Sequence, residues 1–507
     1  MHEGTGSASK SSSEPLTPDA VKRSAESLRL DLTAEEADAM CELGALYITA
    51  YDRVRELANS LDRPARRVES HRPDPAANPS NGWVVRCELT GSGTGTLTGR
   101  RLAVKDNICV AGLPMLVGSP LMEDVVPASD AVAVERALGA GATIVGKTAV
   151  PGFCFDGACL TGFPEPQPVN PWKDGYCAGG SSGGNAIVLV NGEADIALGT
   201  DTAGSIRMPA SWSGCCGFKP TYGVVPTSGV FPIERTLDHV GPMARTVRDC
   251  ALVMDAIGGP EPGVLEAPAM PISSYSEDID AGIAGLRIGV LTEAFAIPGI
   301  SEPDVDDAVR QAASRLETRG AHVVDVSVPM HADAVAIWAA IVFEGATDQL
   351  FSGDGFGSNR RGRYPADVAA AFGSRRRVRS RELPPTVKLT AIVGHHMTET
   401  SHHELYGTAQ NLALVLQAAY ATALDDVDVL MMPTTPMKAA PIPASRDTKE
   451  IVGVAWGNLQ NTAPFNVSGH PALSVPCGFS DGLPVGAMIV GRHHDDALVL
   501  RAGHALQ

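Results

Sequence analysis

Lysine is scarce in this chain, with nine among 507 residues, and histidine is missing from the one stretch where a proton acceptor would be sought. Basic residues as a class are outnumbered. Lys and Arg total 40 against 58 Asp and Glu, a net charge of -18. Such a surface suits solubility and matches a phosphate backbone poorly, so no nucleic-acid partner is expected. The one basic run, "SRRRVRSRE" over residues 374–382, reads as a solvated or interface face. No uninterrupted run of 18 apolar residues occurs, so no membrane partner is expected either. The opening "MHEGTGSASKSSSEP" has no apolar core and does not read as a secretory signal. The ten cysteines form no CxxC pair, which argues against a zinc site and a disulfide framework. Most lie in apolar stretches, as reduced thiols do in a cytoplasmic protein. There is no GK[ST] after the glycine-rich turn, no GxGxxG opening a sheet, and no HExxH. Phosphate loops, dinucleotide folds and zinc peptidases therefore lose their motifs, and neither a metal nor a cofactor is implied.

What is present is a globular composition, 44% hydrophobic and 19% charged, long enough for two or three folded units. The first residues, about 15, are rich in Ser and Gly and are expected to be disordered. Thr17-Pro18 reads as an N-cap and first helical residue, and Thr33 with Glu36 as a capping box. The second helix should run from about Ala34 to Ser60 with an apolar stripe of Met40, Leu43, Leu46, Tyr47, Val54 and Leu57. "DRPARRVESHRPDPAANPSNG" then reads as a linker. Residues 1–82 are thus expected to form a helical extension whose apolar face needs a partner, and a homodimer through these helices is anticipated. From residue 83, β-rich runs such as "RLAVKD", "ATIVGK" and "DVLMMP" alternate with helical runs such as "SDAVAVERALGAG". That rhythm predicts an α/β fold with a mixed, mostly parallel sheet covered by helices. It is expected to span 83–332 and 406–507, with a small helical insertion over 333–405.

The chemistry concentrates in "YCAGGSSGGNAIVLVNGEADIALGTDTAGSIRMPASWSGCCG", Tyr176–Gly217. Three serines sit in glycine-bearing turns: Ser181, Ser182 and Ser205. A serine hydroxyl near neutral pH needs a base, and this stretch holds no histidine. Lys105 closes an apolar strand in "GRRLAVKDNICVAG", and strand ends of α/β sheets carry sites. A buried lysine loses its charge more readily and can accept a proton, and the neighbouring Asp106 would oppose this if its side chain faced the amine. On pattern alone, a snorkelling lysine at the surface is the stronger reading. The pairs His395-His396, His402-His403 and His493-His494 read as surface or interface histidines, because adjacent residues on a helix point apart.

Taken together, "AVKDNI", "GGSSGGNA", "GTDTAGSIRMPASWSGCCGFKPT" and "FNVSGHPALSVPCG…GLPVGAMIVGRH" resemble the amidase signature family over roughly residues 83–507. The likeness is strongest to bacterial nitrile-pathway amidases of actinobacterial type. The resemblance implies an amidohydrolase that cleaves a small-molecule amide to an acid and ammonia or an amine through an acyl-enzyme. It implies Lys105 as the catalytic lysine, Ser181 as a bridging serine after a cis peptide bond, and Ser205 as the nucleophile. Thr202, Ala203 and Gly204 would supply oxyanion N–H groups, with Ser182, Asp201 and Arg207 in support. Two departures stand out. Ala203-Gly204 replaces the usual glycine pair, and an alanine needing a positive φ would be strained. The loop "VPGFCFDGACLTGFPEPQP" also differs, and its Phe153 and Phe155 are expected to line the acyl pocket. Carbamates, anilides or hydrazides offer the same triad an acyl carbonyl. The readings from other classes are a non-catalytic binding protein and a glutaminase-type amidotransferase subunit.

Overall fold

Thr17 and Thr33 open two helices, as their side chains predict. In the computed structural model, which describes residues 14–60, 66–261, 263–264, 274–445 and 447–507, the first helix is Pro18–Leu28 and the second Ala34–Asn59. The expected disorder of the extreme N-terminus falls on residues 1–13 and lies outside the described residues. Thr17 Oγ1 accepts from the Ala20 N–H at 3.2 Å. Thr33 and Glu36 cap each other's backbone N–H at 3.2 and 2.8 Å, the reciprocal box. Val21 and Ala25 are buried, whereas Met40, Leu43, Leu46, Tyr47, Val54 and Leu57 are all exposed. The chain divides into two compact units between Ala65 and Arg66. The join thus falls before the expected 82/83, because the sheet begins inside the Pro-rich stretch. Ser70–His71 pairs with the first long strand, and Arg66 forms an ion pair with Asp130 at 2.5 Å.

The second unit is built on twelve strands: β1 Ser70–His71, β2 Trp83–Thr90, β3 Arg101–Lys105, β4 Thr143–Thr148, β5 Ile196–Asp201, β6 Cys216–Lys219, β7 His239–Ala244, β8 Arg287–Leu291, β9 His322–Val326, β10 Val429–Pro433, β11 Ala472–Ser480 and β12 Leu483–Val490. They form one sheet in the order β1-β2-β4-β3-β5-β7-β6-β11-β12-β10-β8-β9. Period-two alternation divides β3 between two cores. Leu102 and Val104 join one hydrophobic cluster, and Ala103 joins another with Ala186, Val188 and Leu189 of the helix Gly183–Val190. The α/β class and the mixed sheet are as expected, but the directions differ in proportion. Four of the eleven described ladders are parallel: β3 with β4, β3 with β5, β8 with β9 and β8 with β10. These are the strands that helical crossovers connect. The other seven are antiparallel. One comes from a turn that composition alone does not weigh: Asp481 and Gly482 both take positive φ and fold β11 and β12 into a tight hairpin.

Residues 334–426 carry no strand and four helices: Ala334–Thr347, Ala366–Val378, Pro385–Ser401 and Glu404–Asp426. One helical segment here, Pro329–Ser352, is long and apolar enough by composition to cross a membrane. Half of its apolar window is buried within the fold, and it faces the site described below. The basic run lies at the surface, as expected, and most of its arginines have partners within the chain. Arg375 donates to the Leu121 carbonyl, Arg376 and Arg377 pair with Asp354, and Arg379 pairs with Glu382. All ten cysteines are free thiols.

Candidate active site

Lys105 ends β3 between β4 and β5, where no water reaches it. Its Nζ lies 2.7 Å from Ser181 Oγ, 2.7 Å from Thr200 Oγ1 and 3.2 Å from the Thr200 carbonyl. Burial pushes the Lys105 amine below its ordinary range; Cys154, Cys159, Asp201 and Asp238 oppose that shift. Asp106 is turned elsewhere. It pairs with the buried Lys147 at 3.1 Å and accepts the N–H groups of Leu116 and Val117 at 2.9 Å each. Lys105 is therefore neither at the surface nor paired with its neighbour in sequence.

Ser181 and Ser182 occupy the turn ahead of the helix Gly183–Val190, and the Gly180–Ser181 peptide is cis. The Ser182 N–H donates to the Ser205 carbonyl at 3.1 Å, tying the two serine turns together. Ser205 lies in the turn between β5 and the helix Arg207–Ser213. Asp201 holds that turn. Its carboxylate accepts from the N–H groups of Gly204 (2.7 Å) and Ile206 (3.1 Å), from Arg207 Nε and Nη2 (3.0 and 2.9 Å), and from Asn466 Nδ2 (2.9 Å). Burial alone would raise this carboxyl; Arg207, then Lys219 and Asn466, outweigh it and hold Asp201 well below the usual range. Two more groups grip the turn from outside. Trp338 Nε1 donates to the Thr202 carbonyl at 3.0 Å, and Thr462 Oγ1 to the Ala203 carbonyl at 2.5 Å. Thr202 Oγ1 in turn donates to Asp238 at 2.5 Å, and burial raises that carboxyl to about 6.

Two expectations about this turn change. The positive φ falls on Gly204 (130°) and not on Ala203, so the alanine is unstrained. A Cβ on Gly204 would come within 2.3 Å of Thr462 Oγ1, which is why glycine is needed there and not one residue earlier. The Gly204 N–H is spent on Asp201, so Gly204 is removed from the oxyanion donors. Among the described residues the N–H groups of Thr202, Ala203 and Ser205 have no protein acceptor.

The pocket in front of Ser205 is mainly apolar, walled by Phe155, Ile233, Trp338, Phe343, Trp456 and Leu459. Asp156 also borders it, but its oxygens already accept N–H groups from Ala158, Leu160 and Thr161 at 2.7–2.8 Å. Phe155 is where it was expected and Phe153 is not. Phe153 and Cys154 both take positive φ, which turns the Phe153 ring into an aromatic cluster with Phe231 and Phe372 at 5.6 and 5.2 Å. Cys154 takes a place on the pocket wall instead. None of the paired histidines reaches the site. His403 lies 3.1 Å from Glu344, and His493 stacks on His470 at 4.1 Å. Trp338, Trp456, Thr200, Thr462 and Asn466 escaped the sequence reading. The one available signal was scarcity: two of the chain's five tryptophans line this pocket.

The family model described as Amidase matches residues 85–500, and the chain belongs to that family and is an amide-hydrolysing enzyme. An enantioselective amidase of Rhodococcus rhodochrous is 41% identical, with 85% of this chain and 83% of that protein aligned. A glutamyl-tRNA(Gln) amidotransferase subunit of Roseiflexus sp. (strain RS-1) is 37% identical, covering 82% of this chain and 83% of that one. Among solved structures, the native peptide amidase of Stenotrophomonas maltophilia superposes with a TM-score of 0.64 at 29% identity, covering 81% of this chain and 82% of that one.

The ion pair beneath the turn yields a direct expectation. Arg207→Met strands the Asp201 carboxylate in a buried site, at a cost of about 3–5 kcal/mol. The variant should melt at a visibly lower temperature and lose amide hydrolysis along with it. A melting temperature equal to that of the parent would show that the pair does not hold the turn.

Proposed function

We propose that Ser205 is the nucleophile, Ser181 the proton relay and Lys105 the base of an amidase for neutral amides with apolar acyl groups. The observation that carries this reading is the 2.7 Å contact between Lys105 Nζ and Ser181 Oγ in a fully buried setting. A neutral amine has two protons and one lone pair. Thr200 offers two oxygens for the protons, which leaves the lone pair for the Ser181 hydroxyl. Ser181 passes its proton to Lys105 and takes the proton of Ser205, whose Oγ bonds to the amide carbonyl carbon. The C=O π pair moves onto oxygen, and the free N–H groups of Thr202, Ala203 and Ser205 suit that oxyanion; one such donor contributes about 3 kcal/mol in other hydrolases. On collapse the C–N bond breaks, and the relay returns the proton to the leaving ammonia or amine. Water, deprotonated through the same relay, then cleaves the acyl ester and frees Ser205.

A second reading has a specific observation behind it, the likeness to amidotransferase subunits. Glutamine carries an ammonium and a carboxylate, and a pocket for it needs charged partners. The apolar wall and the fully engaged Asp156 support a neutral acyl group instead. Carbamates, anilides and hydrazides remain within the first reading, since they place the same carbonyl before Ser205. We further propose a cytoplasmic location, in keeping with ten free thiols, and a homodimer joined through the exposed stripe of the helix Ala34–Asn59.

Ser205→Ala should abolish hydrolysis of aliphatic and aromatic amides by the purified protein while leaving the fold intact. Retention of more than a trace of activity would remove Ser205 as nucleophile, and glutamine outperforming apolar amides would favour the second reading.

The pH profile tests the base. Lys105 works when neutral, and burial shifts it downward, so kcat/KM should rise with pH through an apparent pKa below the ~10.4 of a free lysine and stay high above it. That midpoint belongs to the coupled Lys–Ser–Ser unit, with Cys154, Cys159, Asp201 and Asp238 nearby. Lys105→Ala should be nearly as damaging as Ser205→Ala. An unchanged acidic limb with substantial activity in Lys105→Ala would refute the assignment.

Truncation before Arg66 should convert a dimer to a monomer in light scattering, because it removes the exposed stripe and keeps the whole sheet. A full-length monomer, or a truncated dimer, would end the proposal.

A further inference from the structure

Trp338 belongs to the apolar helix Ala334–Thr347, and nothing in the mechanism above uses it. Its ring forms part of the pocket wall, and its only polar atom donates to the Thr202 carbonyl at 3.0 Å. A buried indole N–H seeks an acceptor. The acceptor found here is a carbonyl of the nucleophile turn, one peptide plane from the free Ala203 N–H.

That plane makes the contact consequential. A trans peptide unit is rigid, with its C=O and N–H pointing in opposite directions. Holding the Thr202 carbonyl therefore sets the direction of the Ala203 N–H. The next peptide in the turn behaves as this geometry requires. Thr462 holds the Ala203 carbonyl at 2.5 Å, and the Gly204 N–H of the same plane ends on Asp201 Oδ1 at 2.7 Å. In that unit both ends are occupied. In the Thr202–Ala203 unit one end is held by Trp338, and the other has no acceptor among the described residues. Asp238 steadies the same residue from its side chain, through Thr202 Oγ1 at 2.5 Å.

We propose that Trp338 is a positioning residue whose indole N–H aims the Ala203 N–H at the oxyanion, while its ring contacts the acyl group. The same side chain thus links recognition of the acyl group to the geometry of the donor. An acyl group that packs on the indole steadies the donor during the reaction, and one too small to reach it gains less. This rests on Ser205 acting as the nucleophile, as proposed above.

The test replaces the donor and keeps the wall. In Trp338→Phe, kcat on an aromatic amide should fall about 10- to 100-fold, with KM changed less than about threefold. Inhibition by an aryl boronic acid, which forms a tetrahedral adduct with the nucleophile, should weaken by the same factor as kcat. Inhibition by benzyl alcohol, a neutral occupant of the pocket, should hardly change. If the phenylalanine variant does not fold, benzothienylalanine at 338 keeps the indole shape without its N–H and should give the same split. Trp338→Leu, which also removes the wall, should raise KM in addition. The inference is overturned if the loss lies in KM alone, or if boronate and alcohol weaken equally. It is also overturned if kcat is unchanged while only the melting temperature drops, because the bond then merely satisfies the indole. Ser205→Ala, run in parallel, separates the two ideas: an active Ser205→Ala defeats the nucleophile assignment, whereas a dead Ser205→Ala beside a Trp338→Phe of parental kcat defeats this inference alone.

Discussion

Taking the Asp201 carboxylate out of water costs on the order of several kcal/mol, and the centre of the enzyme is arranged around offsetting that cost. Five donors converge on it: two N–H groups of the following turn, two nitrogens of Arg207, and the Asn466 amide. Each bond recruits a different part of the chain. The turn N–H groups fix the backbone around Ser205. Arg207 fixes the start of the next helix, and Asn466 draws in the short helix Pro464–Val467. Removal of the charge would leave all of these donors uncompensated, so the carboxylate that is costly to bury is also the group that sets the loop.

The same low polarity acts on Lys105 with the opposite result. Arg207 holds the Asp201 carboxyl below its usual range, whereas Lys105 has hydroxyl and carbonyl partners and burial lowers its affinity for a proton. Two ionisable groups at the ends of adjacent strands, β3 and β5, thus have their proton affinities shifted by different surroundings. One anchors backbone and the other is available to receive a proton in the proposed reaction. Lys147 and Asp106 form a separate buried pair, and because that pair is self-contained it leaves the lysine next in sequence undisturbed.

Sequence motifs reveal a site where its parts are contiguous. Ser181, Ser182, Asp201, Ser205 and Arg207 share one glycine-framed stretch and were legible there; Lys105, 76 residues before Ser181, joined them only through the family resemblance, since its apolar run alone suited a surface lysine. The walls were not. Trp338, Trp456 and Thr462 come from segments with no motif, and only the packing of the helical stretch over the sheet brings them to Ser205. Phe153 shows a different limit. Its type suggested the pocket, but two consecutive residues with positive φ reverse the direction of the loop, and no pattern of apolar residues encodes that. The proportion of antiparallel strands was hidden for a similar reason. Alternating strands and helices announce crossovers, whereas β6 runs to β7, and β11 to β12, without one.

Thr462 lies 259 residues after Ala203 and Asn466 lies 265 after Asp201, yet both grip the turn that holds Ser205. During synthesis the serines and Lys105 leave the ribosome long before these two residues exist. Domains fold as their sequence emerges, and this turn cannot acquire its final grip until both residues have been made. A nascent chain that stops short of Thr462 therefore carries Lys105, Ser181 and Ser205 but lacks the clasp that holds their turn. Placing the clasp so late in the order of translation makes synthesis through Asn466 a condition for a fully held turn.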